Sequence, residues 1–166
     1  MNKPLFVPDS NVFITAKNDY YAFDLAPAFW DHLIRLAGNG RILSIDFVKD
    51  ELERGNDDLA QWAKNDFSDG FISTAEDDVQ ESYREIMAWV QSQDQFSDAA
   101  KAEFARVADG WLIAYAKSKG CIVVTLEALD PKIKKKVPIP NVCQAFGVQF
   151  VRTFDMLRRL GVQWAS

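Results

Sequence analysis

The sequence predicts an α/β fold of three layers, with a central, mostly parallel sheet covered by helices on both faces. Three observations carry this. Short runs of apolar residues, LFVP at 5–8, RILSI at 41–45, CIVVT at 121–125 and VQFVR at 148–152, read as strands buried on both sides. Longer segments with apolar residues at helical spacing alternate with them. Polar or acidic residues, Asp9, Asp46 and those after Thr125, stand at the strands' carboxyl ends, where open α/β sheets bind ligands.

Taken in order, the first strand passes directly into a polar turn and a helical stretch from Val12 to Lys17. Pro27 suits a first helical position, and the amphipathic helix it opens is expected to stop at Gly38 and Gly40. After the second strand, Asp46 is placed to cap the helix DFVKDELERG, ended by Gly55. Residues 57–66, 76–92 and 97–119 read as mostly helical, with a short edge strand over Phe71–Thr74. After CIVVT, the stretch Leu129–Pro140, with three prolines and Lys132, Lys134, Lys135 and Lys136, reads as a loop. VQFVR then leads to a last helix capped by Thr153 and ended by Gly161.

A length of 166 residues suits one domain spanning 1–166. The hydrophobic fraction of 48% and aromatic fraction of 13% exclude disorder. Lys and Arg total 19 against 24 Asp and Glu, a net charge of −5, which is the wrong sign for gripping phosphates by bulk electrostatics. A nucleic-acid substrate would need local compensation, and divalent cations bound by carboxylates supply it. Cys121 and Cys143 match no CxxC or zinc spacing and read as buried thiols. No apolar run reaches the ~18 residues of a membrane span, so a cytoplasmic location without membrane contact is expected.

Four acidic residues stand where the local pattern favours something else. Asp9 follows a buried strand, Glu51 lies just past the second one, Asp109 interrupts the apolar run RVADGWLIAYA, and Glu127 follows CIVVT. A carboxylate packed against a core needs a partner. Hard oxygen donors suit Mg²⁺ or Mn²⁺. Taken singly, Asp9 and Asp109 also read as helix caps, Glu51 as a solvated face and Glu127 as a turn. Asp46 and Asp50 read as cap and surface residues, and His32 as structural.

Taken together, these motifs resemble those of PIN domains. LFVPDSNVFI is similar to the opening strand that ends in Asp, Ser or Thr, and Asn; DELERG is similar to the second acidic helix; ADGWLIAYAKSKGCIVVTLE is similar to the third and fourth acidic motifs. The resemblance implies a PIN-like fold close to VapC-like toxins, with Asp9, Glu51, Asp109 and Glu127 as the catalytic and metal-binding set. Ser10, Asn11 and Thr125 support them. Glu127 departs from the more usual Asp, which leaves Asp130 as an alternative. The resemblance further implies Mg²⁺ or Mn²⁺ dependence, hydrolysis of RNA phosphodiesters, a cognate antitoxin that masks the site with a basic side chain, and a homodimer.

Lys132, Lys134, Lys135 and Lys136 are candidates for the nucleic-acid backbone, with a solvated loop as the alternative. Tyr20 and Tyr21 are candidates for base stacking. The resemblance to PIN domains implies a metal-dependent endoribonuclease, the toxin of a type II toxin–antitoxin system. The alternatives are a nuclease acting on DNA or structured RNA and a non-catalytic PIN scaffold; acidic residues at all four positions favour an enzyme.

Overall fold

Apolar strands that bury both faces need cover above and below, and this chain supplies it with helices. The computed structural model describes residues 3–163. Its strands are β1 (Phe6–Pro8), β2 (Ser44–Ile45), β3 (Phe71–Ile72), β4 (Ile122–Val124) and β5 (Phe150–Val151). The helices are α1 (Ser10–Thr15), α2 (Pro27–Gly38), α3 (Asp46–Glu53), α4 (Asp58–Gln61), α5 (Asp77–Ser92), α6 (Asp98–Arg106), α7 (Asp109–Lys119), α8 (Ile139–Phe146) and α9 (Thr153–Arg159). Wider π-helical turns extend α1 over Ala16–Tyr20 and α4 over Trp62–Asp66.

β4 is central, pairing parallel with β1 on one side and β5 on the other. β2 pairs parallel with β3. The two sets are joined where Phe6 N–H donates to Arg41 O and accepts Leu43 N–H at its own carbonyl, both at 3.0 Å. The resulting order is β3-β2-β1-β4-β5, and every pairing among the described residues is parallel.

The strands are shorter than the apolar runs suggest. RILSI contributes only Ser44 and Ile45 to a ladder, with Ile42 bridging to Phe6. The predicted helix over 97–119 is two helices, because Val107 is extended (φ −103°, ψ 171°). Asp46 is the first residue of α3; its carboxylate accepts Phe47 N–H and the amide and hydroxyl of Thr74, tying α3 to the segment after β3. Thr153 likewise opens α9 without a side-chain cap. The prolines predict a loop through Pro140, but the stretch after Val137 is helical from Ile139. Pro140 falls in the first turn, where the missing N–H is harmless.

One side of the core is aromatic. Trp62 stacks on Phe67 at 4.6 Å and meets Trp30 edge-on at 4.9 Å, and its indole N–H is buried without a partner among the described residues. Gly70 has no room for a side chain: a Cβ there would lie 2.2 Å from the Phe67 ring. On the other side α7 packs on β2, β4, α5 and α8. Trp111 lies between Tyr83 of α5, stacked at 3.7 Å, and Phe47 of α3, stacked at 5.1 Å. This sandwich fixes the start of α7 relative to α3. No helix among the described residues is long and apolar enough to cross a membrane.

Candidate functional site

The sheet delivers two polar side chains to one point. β1 ends at Pro8 and β4 at Val124, in register, so Asp9 and Thr125 emerge side by side at the carboxyl edge. Asp9 is 2% exposed. Its Oδ1 accepts Val12 N–H at 2.9 Å, which caps α1, and its Oδ2 accepts the Thr125 hydroxyl at 2.8 Å. Burial pushes the Asp9 carboxyl up to about 6, despite both hydrogen bonds.

Beside Ser10, the residue after Asp9, opens a cleft of about 490 Å³. Its lining includes Ser10, Asn11, Glu51, Asp109 and Glu127, together with Glu103, Lys135 and Lys136. Glu51 is held from two sides: Ser10 Oγ donates to Oε1 at 2.5 Å and Ala108 N–H donates to Oε2 at 3.0 Å. These bonds join α1, α3 and the turn before α7. Asn11 is exposed on the rim.

Asp109, the first residue of α7, stands apart. Its carboxylate accepts no hydrogen bond among the described residues, and it is pushed up to about 8 by burial first, then by the charges of Glu127, Asp9 and Glu51. The α7 N-terminus offsets only part of this. Without a cation, burial and the neighbouring charges favour the protonated form of Asp109.

Glu127 is engaged at both oxygens. Ile139 N–H donates to Oε1 at 3.0 Å and Lys136 Nζ lies 3.2 Å from Oε2. Thr125 Oγ1 accepts the backbone N–H of Glu127. The alternative acid, Asp130, is exposed and outside the cleft lining, in a turn closed by reciprocal bonds to Asn141.

Segments distant in sequence thus bring Glu51, Asp109 and Glu127 to the lining of one cleft, with Ser10 and Asn11 beside them. Asp9 and Thr125 are not part of the lining, but Asp9 lies near enough for its charge to act on Asp109 and for that of Glu127 to act on it. Coordination geometry is a separate matter. Among the described residues no group of three or more His, Cys, Asp or Glu side chains stands ready to hold a metal ion. Asp9 and Glu51 accept a hydrogen bond at each oxygen, Glu127 accepts one and pairs with Lys136 at the other, and among the described residues Asp109 accepts none.

Of the four loop lysines, Lys135 and Lys136 line the cleft, whereas Lys132 and Lys134 are exposed outside its lining. Tyr21 stacks on Phe29 at 4.2 Å, and exposed Tyr20 meets Phe154 at 6.0 Å. Both tyrosines line a separate pocket with Arg152 and Leu126. Cys121 and Cys143 are buried free thiols, raised to about 11 and about 12 by burial. The sequence reading missed Glu103, which lines the cleft from α6 and pairs with Arg106. Its exposed position on a polar helix gives no sequence signal.

A family model described as a domain of unknown function, DUF4411, matches residues 6–164. No curated protein matches the chain. Among solved structures, the chain is similar to VapBC2 from Rickettsia felis bound to a DNA fragment from their promoter: 14% identity, TM-score 0.56, covering 89% of this chain and 98% of that one. It is also similar to FitAcB from Neisseria gonorrhoeae: 17% identity, TM-score 0.53, covering 88% of this chain and 96% of that one. The likeness is one of fold, and the fold is PIN-like.

Proposed function

The chain belongs to the DUF4411 family, and we propose that it is a divalent-metal-dependent endoribonuclease, the toxin component of a type II toxin–antitoxin pair. The observation that carries this reading is Asp109: a carboxylate without a hydrogen-bond donor among the described residues, sharing one cleft with Glu51 and Glu127 and raised by their charges and by that of Asp9. A purely structural position favours a paired or neutral side chain.

The donor set fits Mg²⁺ or Mn²⁺ by its chemistry, being all oxygen and mostly carboxylate. Asp109, Asp9 and Glu51 would hold the ion, with Glu127 beside them. When bound, such an ion would lower the pKa of a water, making hydroxide accessible as the nucleophile, and would supply positive charge for the phosphate.

The remaining work falls to the chain itself. Thr125 and the amide of Val12 hold Asp9; Ser10 and the amide of Ala108 hold Glu51. Lys135 and Lys136 offer positive charge to the RNA backbone on an otherwise acidic molecule. The toxin assignment rests on the sequence resemblance to VapC-like toxins and on likeness of fold to VapBC2 and FitAcB. On this reading an antitoxin blocks the cleft with a basic side chain, and two copies of the chain pair.

The test is cleavage of a mixed panel of RNA and DNA with Mg²⁺ or Mn²⁺, with chelator as control, comparing wild type and Asp9→Asn. RNA cleavage that chelator and the substitution both abolish is expected, with unchanged circular dichroism. Cleavage confined to DNA would overturn the substrate assignment. Metal binding without cleavage of any member would overturn the enzyme reading.

A further inference from the structure

Resting on that nuclease reading, we infer that Lys136 is a catalytic residue: its ammonium is the second cation of the site, contacting the phosphate under attack, so that the chain uses one divalent ion per cleft.

Glu127 is the starting point. It stands where the PIN-like motif more usually carries Asp, and each of its oxygens already has a partner. Oε1 accepts Ile139 N–H and Oε2 holds Lys136 at 3.2 Å. The added methylene lets the carboxylate reach the 129–138 segment and anchor a lysine there. Glu127 is thus a positioning residue for Lys136.

That segment is also fastened on both sides of Lys136. Ser97 N–H donates to Lys134 O and Gln95 Nε2 donates to Ile133 O, both at 2.9 Å. Val137 is buried, and Ile139 N–H is tied to Glu127. A lysine on such a backbone has already given up much of the freedom a solvated loop would lose on binding. Both line the cleft, and the lysine side chain remains half exposed, against 14% for Glu127, so the ammonium is the more accessible of the pair. The positive charge also reaches Asp9 and Asp109, lowering both carboxyls.

Two-ion phosphodiesterases place one positive centre at the attacking oxygen and another at the leaving oxygen. A lysine ammonium binds phosphate oxygens as a compact point charge. In the reaction the oxygen of one water bonds to phosphorus and gives a proton to bulk water. The P–O3′ bond breaks, its electron pair goes to the 3′ oxygen, and that oxygen takes a proton from bulk water. Lys136 keeps its bonds and its protons throughout and supplies charge alone.

The test uses the full chain in wild-type, Lys136→Gln, Lys136→Arg and Glu127→Gln forms. Steady-state cleavage of RNA is read as kcat and KM, and Mn²⁺ binding is read by calorimetry with and without a noncleavable RNA analogue. Wild type should bind one Mn²⁺ per chain in both conditions. Lys136→Gln should lower kcat about 100-fold or more with KM little changed, the loss expected for one preorganised charge contact. Lys136→Arg should recover most of kcat, Glu127→Gln should fall between, and Mn²⁺ should bind more tightly to Lys136→Gln because a competing cation is gone.

A second Mn²⁺ per wild-type chain, or a Lys136→Gln kcat equal to or above wild type, would overturn the role of Lys136 while leaving the nuclease reading intact. A wild-type chain that cleaves nothing overturns both.

Discussion

Thr125 and Asp9, 116 residues apart in sequence, meet through a 2.8 Å hydrogen bond from the threonine hydroxyl to Asp9 Oδ2, and the parallel register of β1 with β4 is what brings them together. The bond lowers a carboxyl that burial raises. Replacing Thr125 by Val keeps the volume but leaves a buried oxygen short of a donor, at a cost of about 1–3 kcal/mol. A chain of this length would lose about 2–10 °C in Tm. Thr125→Val is expected to weaken Mn²⁺ binding by raising Asp9 further, and Thr125→Ser to restore both properties. Calorimetry and thermal denaturation of the two variants check this; unchanged Mn²⁺ affinity in Thr125→Val would mean that Thr125 does not tune Asp9.

Legibility in the sequence followed how local the cause was. β1 and β4 were readable because three consecutive apolar residues admit no solvent face. Asp109 was readable because a carboxylate amid Val107, Leu112 and Ile113 conflicts with its surroundings. Helix α8 was not, since Pro138 and Pro140 signal a loop unless they fall at a cap and a first turn, a distinction set by where Ile139 N–H finds its acceptor, Glu127. The π-helical turn at Ala16–Tyr20 had no sequence mark either. The separation of Lys135 and Lys136 from Lys132 and Lys134 depends on bonds from Gln95 and Ser97, some forty residues upstream. No local pattern encodes such a contact.

The acidic cluster gives the metal-free protein an inverted pH response. Asp9 sits at about 6 and Asp109 at about 8, against 3.8 for an ordinary aspartate. The folded state therefore holds both protons more tightly than the unfolded chain. Their contribution to stability is complete below about pH 4, falls as pH rises toward 8, and is level above that. For Asp9 alone the loss is about 3 kcal/mol. With chelator present, Tm should fall between about pH 5.5 and pH 8.5. With saturating Mn²⁺ the slope should reverse, because ion binding requires the carboxylates deprotonated. A metal-free Tm that climbs over that range would contradict the assignment.

Far from the cleft, Gly70 tests the aromatic core. A methyl group there would meet the Phe67 ring at 2.2 Å, and that ring cannot retreat because it stacks on Trp62 and abuts Phe13. Gly70→Ala is expected to destabilise the chain by about 1–3 kcal/mol, the range for overpacking a filled core. Urea denaturation should show a lower midpoint at unchanged slope. Mn²⁺ affinity should be untouched, which separates core damage from damage to the site.

Asp109 offers the sharpest separation between stability and function. Its carboxylate accepts no hydrogen bond among the described residues, and its neighbours Glu127, Asp9 and Glu51 all oppose its ionisation. Asn has the same shape without the charge, so Asp109→Asn removes repulsion and leaves no cavity. At about pH 8 and without metal, the variant should be more stable than wild type by on the order of 2–4 kcal/mol, since each pKa unit corresponds to about 1.4 kcal/mol and the neighbours relax part of the strain. The same substitution should abolish the Mn²⁺-induced rise in Tm and RNA cleavage together. A residue kept at a cost to the apoprotein and needed for the ion is one whose charge serves the site. If Asp109→Asn instead proves less stable than wild type at that pH, the carboxylate has a structural partner, and the case for a metal centre built around it fails.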